Sequence, residues 1–333
     1  MRLFYRSCLA ALCLAGLAAA GNALAQNPST SSAQVYPARP LRMIVPFPPG
    51  GSNDILGRTL ALKLAEALKQ QVIVENRGGA GGSIGAEAAA RSPADGYTIL
   101  IGHVGTLAVN AGLYPKLGYD PVRSFAPITL IANVPNVLVV HPSVPANTAA
   151  ELVAYARANP GKLYYSSGGN GSAAHITMEY FKLQTQADIV HVPYKGTGPS
   201  VTDLIAGQVS MTITGIPPVI SHIRSGKLRA LGVSSLQRVD ALPQTPTISE
   251  SGVKGFDAVQ WYGIVAPAGT PREIVMKLNA DIRGIMQSPE MRERLNTEGA
   301  IATTSTPEEF AAHIRSEIAR WGAVIKRAGI QAD

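Results

Sequence analysis

Pro46-Phe47-Pro48-Pro49-Gly50-Gly51-Ser52-Asn53-Asp54 is the stretch whose reading decides the fold. It follows an apolar run at 41–45 and leads into a segment with Ile55, Leu60, Leu64 and Leu68 on one helical face. That order of strand, glycine turn and amphipathic helix is a βα unit. The prolines fix the turn, and the glycines let a ligand approach the backbone closely. The amides of residues 52–54 open the helix, where the positive dipole end favours an anion. The plain alternative is a turn in which Ser52 or Asp54 serves only as an N-cap.

A second loop repeats the plan. Ser166-Ser167-Gly168-Gly169-Asn170-Gly171-Ser172 follows a strand at 163–166 and precedes a helix from Ala173 to about Gln184. Two such turns suit a clamp that grips one anion from both sides. Phe47, Pro48, Gly50, Gly51, Ser52, Asn53 and Asp54 are the candidate contacts of the first loop; Ser167, Gly168, Asn170, Gly171 and Ser172 are those of the second. Further candidates stand at strand ends or helix starts, where open α/β sheets bind ligands. They are His103 and Thr106 after a strand at 97–102, Tyr194 and Lys195 after 189–192, Gly215 after 211–214, and His175 in the second helix's first turn. His175 also reads as a packing residue, and Lys195 as a solvated one.

Short apolar strands alternate with amphipathic helices along the chain, which means βαβ units and mostly parallel sheets. The remaining strand candidates are 72–75, 128–131, 137–141, 229–233 and 262–266. Thr148-Ala149-Ala150-Glu151 reads as a capping box, and Thr270-Pro271 and Thr306-Pro307 add Pro at a first helical position. Phe310, Ile314, Ile318, Trp321 and Ile325 form one apolar stripe on the last helix, a core face. About ten strands exceed one small sheet, so two sheets are expected, with crossovers near 135–140 and 257–262. One lobe would then comprise 40–135 plus 259–333, and the other 136–258.

The 333 residues are 46% hydrophobic and 15% charged, a globular composition. Arg2 and Arg6 precede an apolar run from Cys8 to Ala20, and Ala23-Leu24-Ala25 supplies a small-residue cleavage pattern. An export signal over 1–25 is expected, followed by a Gln/Asn/Pro/Ser/Thr linker over 26–39. The signal carries two Arg and no acid, so its removal takes the formal charge from +7 to +5. Both cysteines leave with it, which excludes a disulfide framework, a thiol nucleophile and a Cys-ligated metal in the mature chain. The basic residues are scattered, so no nucleic-acid partner is expected.

Two enzyme-like motifs fail on context. Gly81-Gly82-Ser83-Ile84-Gly85 matches the nucleophile-elbow pattern, but that Ser must follow a strand directly, and residues 76–80 intervene. A secreted hydrolase using Ser83 is the alternative reading. Gly169-Asn170-Gly171-Ser172-Ala173-Ala174, with Asp188 beyond it, matches a dinucleotide fingerprint. Export argues against that use, and the sequence holds no Walker A motif, no H-E-x-x-H and no close His/Asp/Glu cluster, so no cofactor, metal or enzymatic activity is expected.

Several motifs together closely resemble the Bug (Bordetella uptake gene) family. They are Tyr36-Pro37-x-Arg39-Pro40, Ile44 to Gly51 with Asp54, Val74-Glu-Asn-Arg-Gly-Gly-Ala-Gly-Gly82, Asp95-Gly-Tyr-Thr98, Gly168 to Ser172 with His175, Val192-Pro-Tyr-Lys-Gly196, Ala206-Gly-Gln-Val209 and Gly226-Lys-Leu-Arg-Ala-Leu231. The resemblance implies a two-lobed periplasmic binding protein, a type II-like Venus flytrap, each lobe a mostly parallel sheet flanked by helices. It implies a solute receptor that hands a small organic carboxylate to the membrane permease subunits of a tripartite tricarboxylate transporter. It also implies that main-chain groups of 47–54 and 167–172 hold the carboxylate, helped by ordered water. Ser210 and Asn170 depart from the common family pattern, which affects contacts at the ligand's far end. A periplasmic monomer is expected; the identity of the carboxylate is not legible.

Overall fold

The computed structural model describes residues 36–330. The expected export signal, its cleavage site and most of the linker lie outside the described residues. In chain order the elements are β1 (Leu41–Val45), α1 (Ser52–Leu68), β2 (Val72–Asn76), α2 (Ser83–Ala90), β3 (Thr98–His103), α3 (Asn110–Leu113) and β4 (Phe125–Val140). Then come α4 (Ala149–Ala158), β5 (Tyr164–Ser167), α5 (Ala173–Thr185), β6 (Val190–Pro193), α6 (Thr197–Ile205), β7 (Met211–Gly215), α7 (Ile220–Arg224) and β8 (Arg229–Val233). The chain ends with β9 (Val259–Pro267), α8 (Arg272–Gln287), α9 (Pro289–Thr297), β10 (Ile301–Ala302) and α10 (Pro307–Ala328). No described helix is long and apolar enough to cross a membrane.

The strands form a two-lobed α/β fold in which both halves use one plan. The first half runs β2-β1-β3-β9-β4, and the second runs β6-β5-β7-β4-β8. β4 belongs to both. Its residues up to Pro135 pair with β9, whereas Asn136 and its successors pair with β7 and β8. The strands expected at 128–131 and 137–141 are thus one continuous strand of 16 residues. Pro135 does not break it, because a residue without an N–H is tolerated where the ladder changes partner. The parallel pairing expected from βαβ units holds for β2-β1-β3 and for β6-β5-β7. β4 and β9 add antiparallel neighbours, because each enters its sheet from the other half. The two-residue β10, too short to carry a pattern, extends the first half beside β4.

Both faces of the second half are covered. Leu138 and Val140 join one apolar core, while Val137 and Val139, on the opposite face, join another with Leu204, Ile216 and Val219. The stripe on α10 packs as expected: Phe310, Ile314, Trp321 and Ile325 are buried, and Ile318 packs against them. Its start is a complete capping box of Thr306 and Glu309. The other two helix starts differ from expectation. The Glu151 carboxylate takes the amide of Asn147 and not that of the cap residue. Thr270 donates to the Pro267 carbonyl, so Pro271 itself precedes α8 without a side-chain cap.

Candidate ligand-binding cleft

α1 and α5 start at the ends of β1 and β5, one in each half, and point their first turns at one small cavity. Ser52 and Asn53 line it from α1, and Ala173 and Ala174 line it from α5. First-turn amides have no acceptor within their own helix, so this wall is rich in free N–H groups. The cavity measures about 30 Å³. His103 and Tyr262 are the titratable groups in its wall, and both are neutral near pH 7. Burial holds His103 down at about 3 and pushes the Tyr262 phenol up. An anion here meets donors and dipole ends without a formal counter-charge.

Each glycine loop is braced from behind. Asp54, 6% exposed, accepts the Gly50 amide, Arg58 Nε and Asn76 Nδ2, and the same Asn76 amide donates to the Phe47 carbonyl. Burial alone would raise the Asp54 carboxyl; the hydrogen bonds from Arg58, Asn76 and Gly50 more than offset it and hold it below the usual range. Phe47 meets His103 edge-on, and His103 stacks on Tyr262. In the second half His175 stacks on His191, and His191 stacks on Tyr165. His175 Nδ1 accepts the Gly171 amide, and Ser167 Oγ pairs with His191 Nε2 at 2.7 Å. Two aromatic columns therefore back the two loops.

Phe47 also lines a larger pocket of about 630 Å³, together with Pro48, Gly82, Tyr114, Asn170 and Lys195. The halves touch here. The Tyr114 hydroxyl donates to the Asn170 carbonyl at 3.0 Å, and Thr197 stands against both Gly51 and Gly168.

A strand-glycine-helix turn from each half, meeting at one cavity, is the arrangement read from the motifs. The profile of the tripartite tricarboxylate transporter family receptor, TctC, matches residues 56–330. The chain belongs to this receptor family. Protein BugT of Bordetella pertussis is 42% identical to this TctC receptor over 299 residues, which are 90% of this chain and 92% of BugT. The structure of R. palustris Rpa4515 with adipate superposes with a TM-score of 0.87 at 39% identity, covering 90% of this chain and 100% of that one. MatC from Rhodopseudomonas palustris with bound malate gives 0.83 at 32% identity, covering 87% and 100%. The resemblance to Bug proteins and the two-lobed periplasmic-binding-protein fold are thereby borne out.

The receptor brings Phe47, Gly51, Ser52, Asn53, His103 and Ser172 to the small cavity. Pro48, Gly168, Asn170, Tyr194 and Lys195 line the larger pocket. The Tyr194 hydroxyl is turned to Asp203 at 2.7 Å; burial and that carboxylate push its phenol up to about 12. Other candidates stand behind these walls. Asp54, Ser167 and His175 spend their side chains on bracing the loops, and Thr106 is tied to His103. Gly50 packs against Gly198, Gly171 against Leu113 and Tyr114, and Gly215 against the Ser52 hydroxyl.

Six wall residues were not among the candidate contacts: Ala173, Ala174, Thr197, Thr214, Gln260 and Tyr262. Thr197 and Thr214 are immediate neighbours of motif residues, a signal that proximity could have used. Gln260 and Tyr262 share one face of β9, and only the pairing of β9 with β3 and β4 brings that face to the cavity. Ser83 Oγ accepts Asn110 Nδ2, a donor that cannot take its proton. Among the described residues no group of three His, Cys, Asp or Glu is placed to hold a metal ion.

Proposed function

We propose that this receptor, exported and cleaved near Ala25, works in the periplasm as a monomer that captures a small organic carboxylate. It presents that acid to the permease subunits of a tripartite tricarboxylate transporter and performs no reaction on it. The observation that carries the reading is the pair of helix N-termini opening on one uncharged cavity. The amides of Ser52, Asn53, Ala173 and Ala174 are the donors to the carboxylate, and the larger pocket takes the rest of the molecule. Residues 40–135 with 259–333 form one lobe and 136–258 the other, and they close on the acid by bending where β4 passes between the sheets and where the chain returns at the start of β9. The adipate and malate bound by the related Rpa4515 and MatC structures support a carboxylate of this class.

A thermal-shift screen over carboxylic acids, with adipate and malate in the panel, tests this. An acid at 100-fold its Kd stabilises by about 2.7 kcal/mol, a shift of a few degrees for a chain of this size. Its methyl ester keeps the body and loses the charge, and is expected to lose most of the shift. A panel with no stabilising acid, or an ester as effective as its acid, contradicts the proposal.

A further inference from the structure

The two segments that cross between the halves meet at a buried carboxamide. Asn136, 0% exposed, occupies the position where β4 leaves β9 for β7. Its amide donates to Ser234 Oγ at 2.8 Å, and its Nδ2 donates to the Ala258 carbonyl at 2.6 Å. Ala258 immediately precedes β9 on the return crossing. Ser234 Oγ donates to the same carbonyl at 2.8 Å, and the Ala258 amide donates to the Ser234 carbonyl at 3.0 Å. Asn136 and Ser234 thus join the outgoing crossing to the returning one.

The network also reaches the cavity. Asn136 Oδ1 accepts from Gln260 Nε2, and Gln260 Oε1 accepts the Tyr262 phenol at 2.6 Å. Tyr262 in turn shares the wall of the small cavity with Ser52, the first residue of α1. Ser52, Tyr262 and Gln260 line the small cavity, whereas Asn136 does not. An unbroken chain of neutral groups therefore runs from Tyr262, in the cavity wall beside the start of α1, to both crossings. Such a chain has little slack, because a buried donor or acceptor that loses its partner is penalised in full. Asn136 must both donate and accept, a combination that Asp lacks in part and Leu entirely.

We propose that Asn136 is the positioning residue that sets the angle between the lobes. It fastens the two crossings to each other and, through Gln260 and Tyr262, to the wall that Ser52 shares with the bound acid. A carboxylate seated against Ser52 then holds the crossings in the arrangement seen here. This rests on the carboxylate-clamp reading above.

The test reads lobe separation directly. Cysteines replacing the exposed Lys116 and Lys227, one on each proposed lobe, carry spin labels for pulsed distance measurement in the whole mature receptor. Without any acid, the parent is expected to give one narrow distribution and Asn136→Leu a broad one. Asn136→Asp keeps the acceptor for Gln260, loses the donor to Ala258, and is expected to fall between them. With malate and adipate as probes, dissociation of whichever binds the parent is expected to be about tenfold faster in Asn136→Leu, with association little changed. If Asn136→Leu does not fold, Asn136→Asp and Ser234→Ala carry the same comparison. Parent-like distances in the variants overturn the proposal, including where melting temperature falls, since that pattern marks a purely structural residue. If neither acid binds the parent, the dissociation comparison is made with the acid found in the thermal-shift screen; a screen without any such acid fails the carboxylate reading, while the acid-free distances decide the role of Asn136 in either case.

Discussion

Asp54 Oδ2 accepts the amide of Gly50 at 3.1 Å, so a carboxylate in the first turn of α1 holds the loop that precedes its own helix. Its other oxygen takes Arg58 and Asn76, and Asn76 secures the Phe47 carbonyl. The acid's work is to shape the loop and to neutralise Arg58, so its side chain is turned to the loop and the helix and not to the cavity.

Asp54→Ala is therefore expected to lower affinity for the acid found in the screen about tenfold or more, because the loop loses three donors' common acceptor. Isothermal titration checks it. The pH dependence follows from the lowered carboxyl. Asp54's contribution is complete above the ordinary carboxylate range and is lost as pH falls through its depressed value. An affinity unchanged in Asp54→Ala would remove the bracing role.

Gly171 has φ +76°, and a Cβ there would meet Leu113, the Asn110 carboxamide and Tyr114. Gly171→Val is expected to abolish ligand-induced compaction in small-angle scattering. The reason is not an obstructed carboxylate space, since this residue does not line the small cavity. The side chain adds left-handed backbone strain and collides with the opposite wall of the cleft. Compaction equal to the parent's would contradict this.

Tyr114→Phe removes the hydrogen bond to the Asn170 carbonyl across the cleft and keeps the ring. One neutral hydrogen bond contributes about 0.5–1.5 kcal/mol, so dissociation is expected to quicken by about two- to tenfold. Stopped-flow displacement measures it, and an unchanged rate would show that the contact carries no closure energy.

His103 is buried neutral, with its folded pKa depressed to about 3 from an ordinary 6.5. The unfolded chain takes up a proton first as pH falls. The stability conferred by the neutral ring is thus complete above about 6.5 and is lost progressively toward 3, at up to about 1.4 kcal/mol per pH unit. Urea unfolding between pH 7 and pH 4.5 is expected to show this slope. His103→Gln should reduce it; His313, whose pKa burial also lowers, contributes in the same direction and is unchanged in the variant. Equal slopes in parent and variant would refute the assignment.

Local rules were enough for much of this protein. Alternation of apolar strands with amphipathic helices specifies the βα units, since each period is a property of adjacent residues. The Pro-Pro-Gly-Gly-Ser and Gly-Gly-Asn-Gly-Ser turns likewise announce two helix starts able to receive an anion. The stripe from Phe310 to Ile325 announces a core face for the same reason.

Only the tertiary structure decided which residues meet between the turns. The Gln260 and Tyr262 face of β9 reaches the cavity through antiparallel pairing with β3 and β4, whose register depends on residues more than a hundred positions apart in the chain. The roles of Asp54 and His175 were likewise decided there. A carboxylate or imidazole near a glycine turn can face a ligand or brace the loop, and the choice depends on whether Arg58, Asn76 and His191 arrive behind it. Helix starts are local because hydrogen-bond geometry reaches only a few residues. Walls, braces and crossings are not, because they are made of contacts whose partners the chain brings together only by folding.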